Sequence, residues 1–78
     1  MTHTNYTREQ LLEAFNRVQN AEHWKNPINA TFTSNADESF RDLVSSAISY
    51  FTGTCAIWTQ TSGNWNVTAD GYYAGPCN

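Results

Sequence analysis

Residues 54–70, "TCAIWTQTSGNWNVTAD", read as two short strands around a turn. Both arms are rich in β-branched and aromatic residues, and Ser62-Gly63-Asn64 separates them. Glycine accepts the positive φ that tight hairpin turns need, so Gly63-Asn64 is expected to form the loop of a type II′ hairpin. Ser62 then faces Trp65, Gln60 faces Val67 and Trp58 faces Ala69. A hairpin's register decides its faces, because a slip of one residue turns every side chain over. This register groups Ala56, Trp58, Trp65, Val67 and Ala69 on one side. Cys55, Ile57, Thr59, Asn66, Thr68 and Asp70 take the other. A three-residue loop, Ser62 to Asn64, would instead group Ile57 with Val67 and Ala69. "CAIW" is apolar in both directions, so its second face calls for a cover such as another subunit.

The stretch before this hairpin, "SNADESFRDLVSSAISYFTG", carries the clearest helical pattern. Phe40, Leu43, Val44, Ala47, Ile48 and Phe51 form one apolar stripe at helical spacing. Ser34 or Asn35 is expected to cap its start, and Asp37 and Glu38 suit the positive end of its dipole. Gly53 is the natural terminator. Further upstream, "YTREQLLEAFNRVQN" opens with Thr7 and Gln10 in capping-box spacing, with Tyr6 and Leu11 placed as a hydrophobic staple. Leu11, Phe15 and Val18 repeat along its buried side. Between the helices, "PINATFT" alternates Ile28, Ala30 and Phe32 with Asn29, Thr31 and Thr33, the pattern of a half-buried strand. "AEHWKNP" reads as a turn.

The order is helix, strand, helix, strand, strand over a single domain, residues 1–78. The expected fold is α+β, with two amphipathic helices packed on one face of a three-stranded, mainly antiparallel sheet. A domain this small has a thin stability margin and often needs a staple. With two cysteines, one disulfide is the maximum. No cysteine or histidine spacing suits zinc, so no metal and no cofactor are expected, and oligomerisation is the favoured staple.

The net charge is -3 and no run of Lys or Arg occurs. Duplex nucleic acid is therefore a poor partner, since phosphate neutralisation needs clustered cations. No apolar run has membrane-spanning length. The polar start "MTHTNYTREQ" has no secretion-signal core, which makes the cytoplasm the expected compartment and reduced thiols the expected state of Cys55 and Cys77.

Catalytic constellations are weak. Cys55 follows a helix end, whereas thiolates are favoured at helix starts. His23 sits beside Trp24 with no partner evident. Asp37, Glu38 and Asp42 are explained by the helix start and its solvent face. The aromatics remain. The closing segment "ADGYYAGPCN" sets Tyr72 and Tyr73 between glycines, and one ring can pack inward as a clasp while the other stacks on a ligand. Asp70 is the candidate acceptor for a ribose hydroxyl or an exocyclic amine. Gly71 and Gly75 allow close backbone approach. Trp24 and Lys25 form a second candidate pair for an anionic aromatic ligand.

"AFNRVQNAEHWKNPINATF", "AISYFTGT" and "VTADGYYAGP" together resemble small function-unknown proteins of bacteriophages and bacteria. The resemblance implies an intracellular accessory protein that acts by binding. Such a protein occupies a host protein or sequesters a small signalling molecule of host defence. The expected function is thus a non-enzymatic homo-oligomer that binds a small anionic, nucleotide-derived ligand through Tyr72, Tyr73, Asp70, Gly71, Gly75, Trp24 and Lys25. The alternative is an interaction module that inhibits a host protein through exposed aromatics.

Overall fold

The computed structural model describes residues 6–33 and 36–69. Its elements run α1 (Arg8–Gln19), β1 (Glu22–Lys25), β2 (Ile28–Phe32), α2 (Glu38–Thr52), β3 (Ile57–Thr61) and β4 (Asn64–Ala69). The α+β class and the two helices are as expected. The sheet has four strands, ordered β1-β2-β4-β3, and every pairing is antiparallel. Among the described residues no helix is long and apolar enough to cross a membrane.

The extra strand is β1, which the sequence presents as a turn. Its register explains the disguise. Glu22 pairs with Thr31 and Lys25 with Asn29, so His23 and Trp24 together stand opposite Ala30. This is a bulge, and it breaks the two-residue alternation that marks a strand. His23 has φ 60°, the left-handed region in which the bulge residue is ordinarily glycine. The chain turns into β2 at Asn26-Pro27, whose peptide bond is cis.

α1 begins as its sequence dictates. The Gln10 N–H donates to Thr7 Oγ1 at 3.1 Å, and the Thr7 N–H donates to Gln10 Oε1 at 2.8 Å. α2 departs from expectation at its cap. Asp37, rather than Ser34 or Asn35, accepts the Phe40 N–H at 2.8 Å. A carboxylate there satisfies an orphan donor and meets the helix dipole at once. Gly53 ends α2 with φ 72°.

The β3–β4 hairpin is also corrected. Its loop is Ser62-Gly63, with φ 52° and 83°, and Thr61 pairs with Asn64. Positive φ at both loop residues makes a type I′ turn, whose twist matches that of the strands. Trp58 therefore pairs with Val67 and Gln60 with Trp65. The shift from the expected pairing is even, so the faces stay as predicted.

The helices cover one face. Leu11, Ala14 and Val18 of α1 and Val44, Ala47 and Ile48 of α2 bury against Ile28, Ala30, Val67 and Ala69. Phe32, Phe40, Trp58 and Trp65 extend this core as an aromatic row. Phe32 meets Phe40 edge-on at 5.2 Å, and Trp58 meets Trp65 at 6.4 Å. Arg41 closes the row, its guanidinium 3.8 Å above the Trp65 ring.

Cys55 is disulfide-bonded, which corrects the expectation of a reduced thiol. The chain's other cysteine is Cys77, outside the described residues. Cys55 stands two positions before Ile57, which pairs with Thr68. It therefore lies at the end of the sheet where β4 finishes.

Candidate functional site

The sheet's outer face, away from the helices, is polar. Pairing places Asn29, Thr31, Asn66, Thr68, Thr59 and Ile57 there. Four residues from three strands close a hydrogen-bond circuit on it. The Asn29 Nδ2 donates to the His23 carbonyl at 3.1 Å. The Asn66 Nδ2 donates to Asn29 Oδ1 at 3.2 Å, and the Thr31 hydroxyl donates to Asn66 Oδ1 at 3.2 Å. His23 Nδ1 lies 3.3 Å from Thr31 Oγ1 and completes the loop.

A backbone carbonyl only accepts, so the His23 carbonyl fixes the direction of the whole circuit. Asn29 must offer its amide nitrogen to that carbonyl, which leaves Oδ1 to accept from Asn66. Asn66 must then use its oxygen to accept from Thr31. The single hydroxyl proton of Thr31 is spent, so His23 Nδ1 must carry a proton and donate it. Nε2, the ring's other nitrogen, belongs to an exposed residue. The strained bulge and the circuit thus serve one result, an imidazole held in one tautomer and one orientation. Strain retained at a non-glycine residue is characteristic of functional positions.

Replacing Thr31 with Val should remove the relay at nearly constant volume. About 1 kcal/mol of stability is expected to be lost. The sharper readout is nitrogen NMR of His23, where the Nδ1–H tautomer should dominate in the native chain and lose that dominance in the variant. Native His23 in the Nε2–H form would overturn the assignment.

Lys25 stands across from Asn29 and is exposed, so it brings a cation to the edge of the circuit. Trp24 instead packs against the core. Trp24 is only partly buried there, and the next residue on the strand is the exposed Lys25. Asp70, Gly71, Tyr72, Tyr73 and Gly75 lie outside the described residues. Ala69, the residue before them, pairs with Ile28, one position from Asn29 at the Lys25 end of the sheet.

An open cleft of about 330 Å³ adjoins the other end of β1, lined by Arg17, Asn20, Glu22, Thr31 and Phe32 among others. The Arg17 guanidinium is engaged there, 4.7 Å from the centre of the Phe40 ring. Among the described residues no group of three or more His, Cys, Asp and Glu side chains is placed to hold a metal ion.

Sequence reasoning missed the circuit, although part of its signal was present. The alternation of "INATF" sets Asn29 and Thr31 opposite Ile28, Ala30 and Phe32, and the hairpin sets Asn66 opposite Trp65 and Val67, without saying which hairpin face is core. His23 was hidden by the bulge.

No family model, no curated protein and no solved structure matches this chain.

Proposed function

We propose that this chain is a non-enzymatic binding protein that works as a homo-oligomer and captures a small, nucleotide-derived anion on the outer face of its sheet. The observation that carries the reading is the closed circuit, which ties the exposed His23 ring to the sheet face that Lys25 borders; in this reading His23 Nε2 is the acceptor offered to the ligand. A preorganised acceptor loses little entropy when a ligand N–H or O–H meets it. A nucleobase or ribose supplies that donor, and a phosphate suits Lys25. In this reading Tyr72 or Tyr73 stacks on the base, Asp70 accepts from a ribose hydroxyl or an exocyclic amine, and Gly71 and Gly75 let the ligand approach the backbone. Support for including them is the pairing of Ala69, the residue before them, at the Lys25 end of the sheet. The role we propose for this site is sequestration of a small nucleotide-derived signal. The Cys55 disulfide weighs against the cytoplasm as its compartment, because thiols are kept reduced there.

The test is calorimetric titration with a panel of linear and cyclic nucleotides. His23→Gly is the informative variant, because glycine is at home at φ 60° and the bulge keeps its backbone while the imidazole disappears. At least one nucleotide should bind, and His23→Gly should weaken it by roughly tenfold or more, the worth of one good hydrogen bond. Tyr72→Ala and Tyr73→Ala should separate stacking platform from clasp, with one lowering affinity and the other stability. Affinity unchanged in all three variants would refute the site.

The alternative, an inhibitor of a host protein, draws support from large apolar side chains left exposed on the helices, Leu12 and Tyr50. A stoichiometric protein partner whose binding is lost in Tyr50→Ala and kept in His23→Gly would favour it.

A further inference from the structure

The two edges of the sheet differ in kind. β1 carries Glu22 and Lys25 and is distorted by the bulge at His23. Charges and bulges are the devices by which proteins keep an edge strand from pairing with another chain. β3, at the opposite edge, reads Ile57-Trp58-Thr59-Gln60-Thr61. It has no charge, no proline and no bulge, and four of its five residues are β-branched or aromatic. Among the described residues no strand pairs with its outer edge. Ile57 is 40% exposed beside it.

The turn decides which backbone groups that edge presents. In a type I′ turn the Thr61 carbonyl accepts from the Asn64 N–H, so Thr61 and Asn64 form a hydrogen-bonded pair. Such pairs alternate along an antiparallel ladder. Thr59 and Ile57 therefore also bond to β4, through Asn66 and Thr68. Trp58 and Gln60 direct their N–H and C=O groups outward.

We infer that β3 is the self-association edge, pairing antiparallel with β3 of a second copy about a two-fold axis through Thr59. This deepens the homo-oligomer reading above and rests on it. In that register Trp58 of each copy exchanges both backbone hydrogen bonds with Gln60 of the other, and every outward group is satisfied. On the outer face Thr59 meets Thr59, and Ile57 meets Thr61. A strand that pairs with its own copy brings like side chains together at the axis, where any charge would repel itself. The lack of charge on β3 is what self-pairing requires, whereas an edge built for an acidic or basic partner would carry the complement. The product is one eight-stranded sheet, twice the four strands of each copy, whose outer face carries both polar circuits.

Sedimentation of the full chain over a concentration series tests this, with Thr59→Lys and Thr59→Glu. Thr59 is exposed, so neither change disturbs the core. The native chain should dimerise, and each variant alone should associate roughly tenfold more weakly or worse, since like charges then face each other at the axis. Mixing the two variants should restore the dimer. Gln60→Pro is a second route. It removes an outward N–H while sparing the β4 ladder, and should also give a monomer. An oligomer indifferent to all three changes overturns the β3 assignment and leaves the oligomeric reading standing. A chain that stays monomeric at millimolar concentration overturns both, and frees the edge for an extended segment of another protein. The nucleotide reading is judged separately by His23→Gly.

Discussion

Trp58→Ala is expected to lower the unfolding free energy by about 3 kcal/mol, near the lower bound for removing a large aromatic from a core because the ring is only half-buried. For a domain this small that is a large share of a total on the order of 5–10 kcal/mol. The reason lies in how many elements meet at this one ring. Trp58 stands on β3, paired with Val67 of β4. Its ring lies 6.0 Å from Phe32 of β2 and 6.4 Å from Trp65 of β4. Its indole N–H donates to Ser45 Oγ on α2 at 2.7 Å. One side chain thus ties the edge strand to two other strands and to a helix. Loss of the ring opens a void between layers that a short strand at the sheet's rim cannot close by collapse.

Two further variants divide that cost. Trp58→Phe keeps most of the apolar area and leaves the Ser45 hydroxyl without its donor, so it should cost about 1 kcal/mol. Ser45→Ala should cost a similar amount, and adding it to Trp58→Phe should cost little more, since both remove the same hydrogen bond. Urea denaturation gives all four values. The midpoint should fall with an unchanged slope if the variants stay two-state. A Trp58→Ala midpoint within experimental scatter of the native one would mean that β3 contributes little to the cooperative unit.

How far the sequence reached follows from where local and tertiary signals agree. α1 was legible because its capping box, staple and stripe all point to one start and one face; the structure keeps the capping box and buries Leu11 and Val18, with Tyr6 and Phe15 packed against the core. The stripe of α2 was legible for the same reason, but its cap was misplaced. Ser34, Asn35 and Asp37 are all good caps, and only the path of the chain into the helix selects Asp37. The hairpin gave its faces correctly and its pairing wrongly. Ser62-Gly63 and Gly63-Asn64 differ by an even shift, which leaves alternation intact. β1 was illegible. Bulging at His23 removes the period of two, and its flanking Glu22 and Lys25 belong to the defence of an edge. The polar circuit was half legible. Alternation grouped Asn29 with Thr31 and set Asn66 opposite Trp65 and Val67, but it left open which hairpin face is core, and their convergence depends on a strand order from which β1 was missing. Trp24, expected beside Lys25 at a ligand, packs a partly buried side chain against the core.

Cys55→Ser carries the second large effect, an expected loss of about 3 kcal/mol. Cys55 is disulfide-bonded and stands at the end of the sheet where β4 runs out at Ala69. A bond to Cys77, the chain's one other cysteine, would enclose β3, its turn, β4 and the closing "DGYYAGP" in a covalent ring. Closing a ring of that size mainly restricts the unfolded chain, which is where the stabilisation arises. The partner is tested by arithmetic. Cys55→Ser, Cys77→Ser and the double variant should all lose the same amount, because each removes the same bond. Reducing agent should bring the native chain to that level and leave the variants unmoved. Coincident unfolding midpoints for the native chain with and without reductant would remove the staple from the account of this fold. The same three variants bear on function. If the bond is to Cys77 and the proposed nucleotide site holds, Cys77→Ser opens a ring that contains Tyr72 and Tyr73 in sequence and should weaken binding wherever those tyrosines contribute. Affinity unchanged in Cys77→Ser but lost in His23→Gly would assign binding to the sheet face alone.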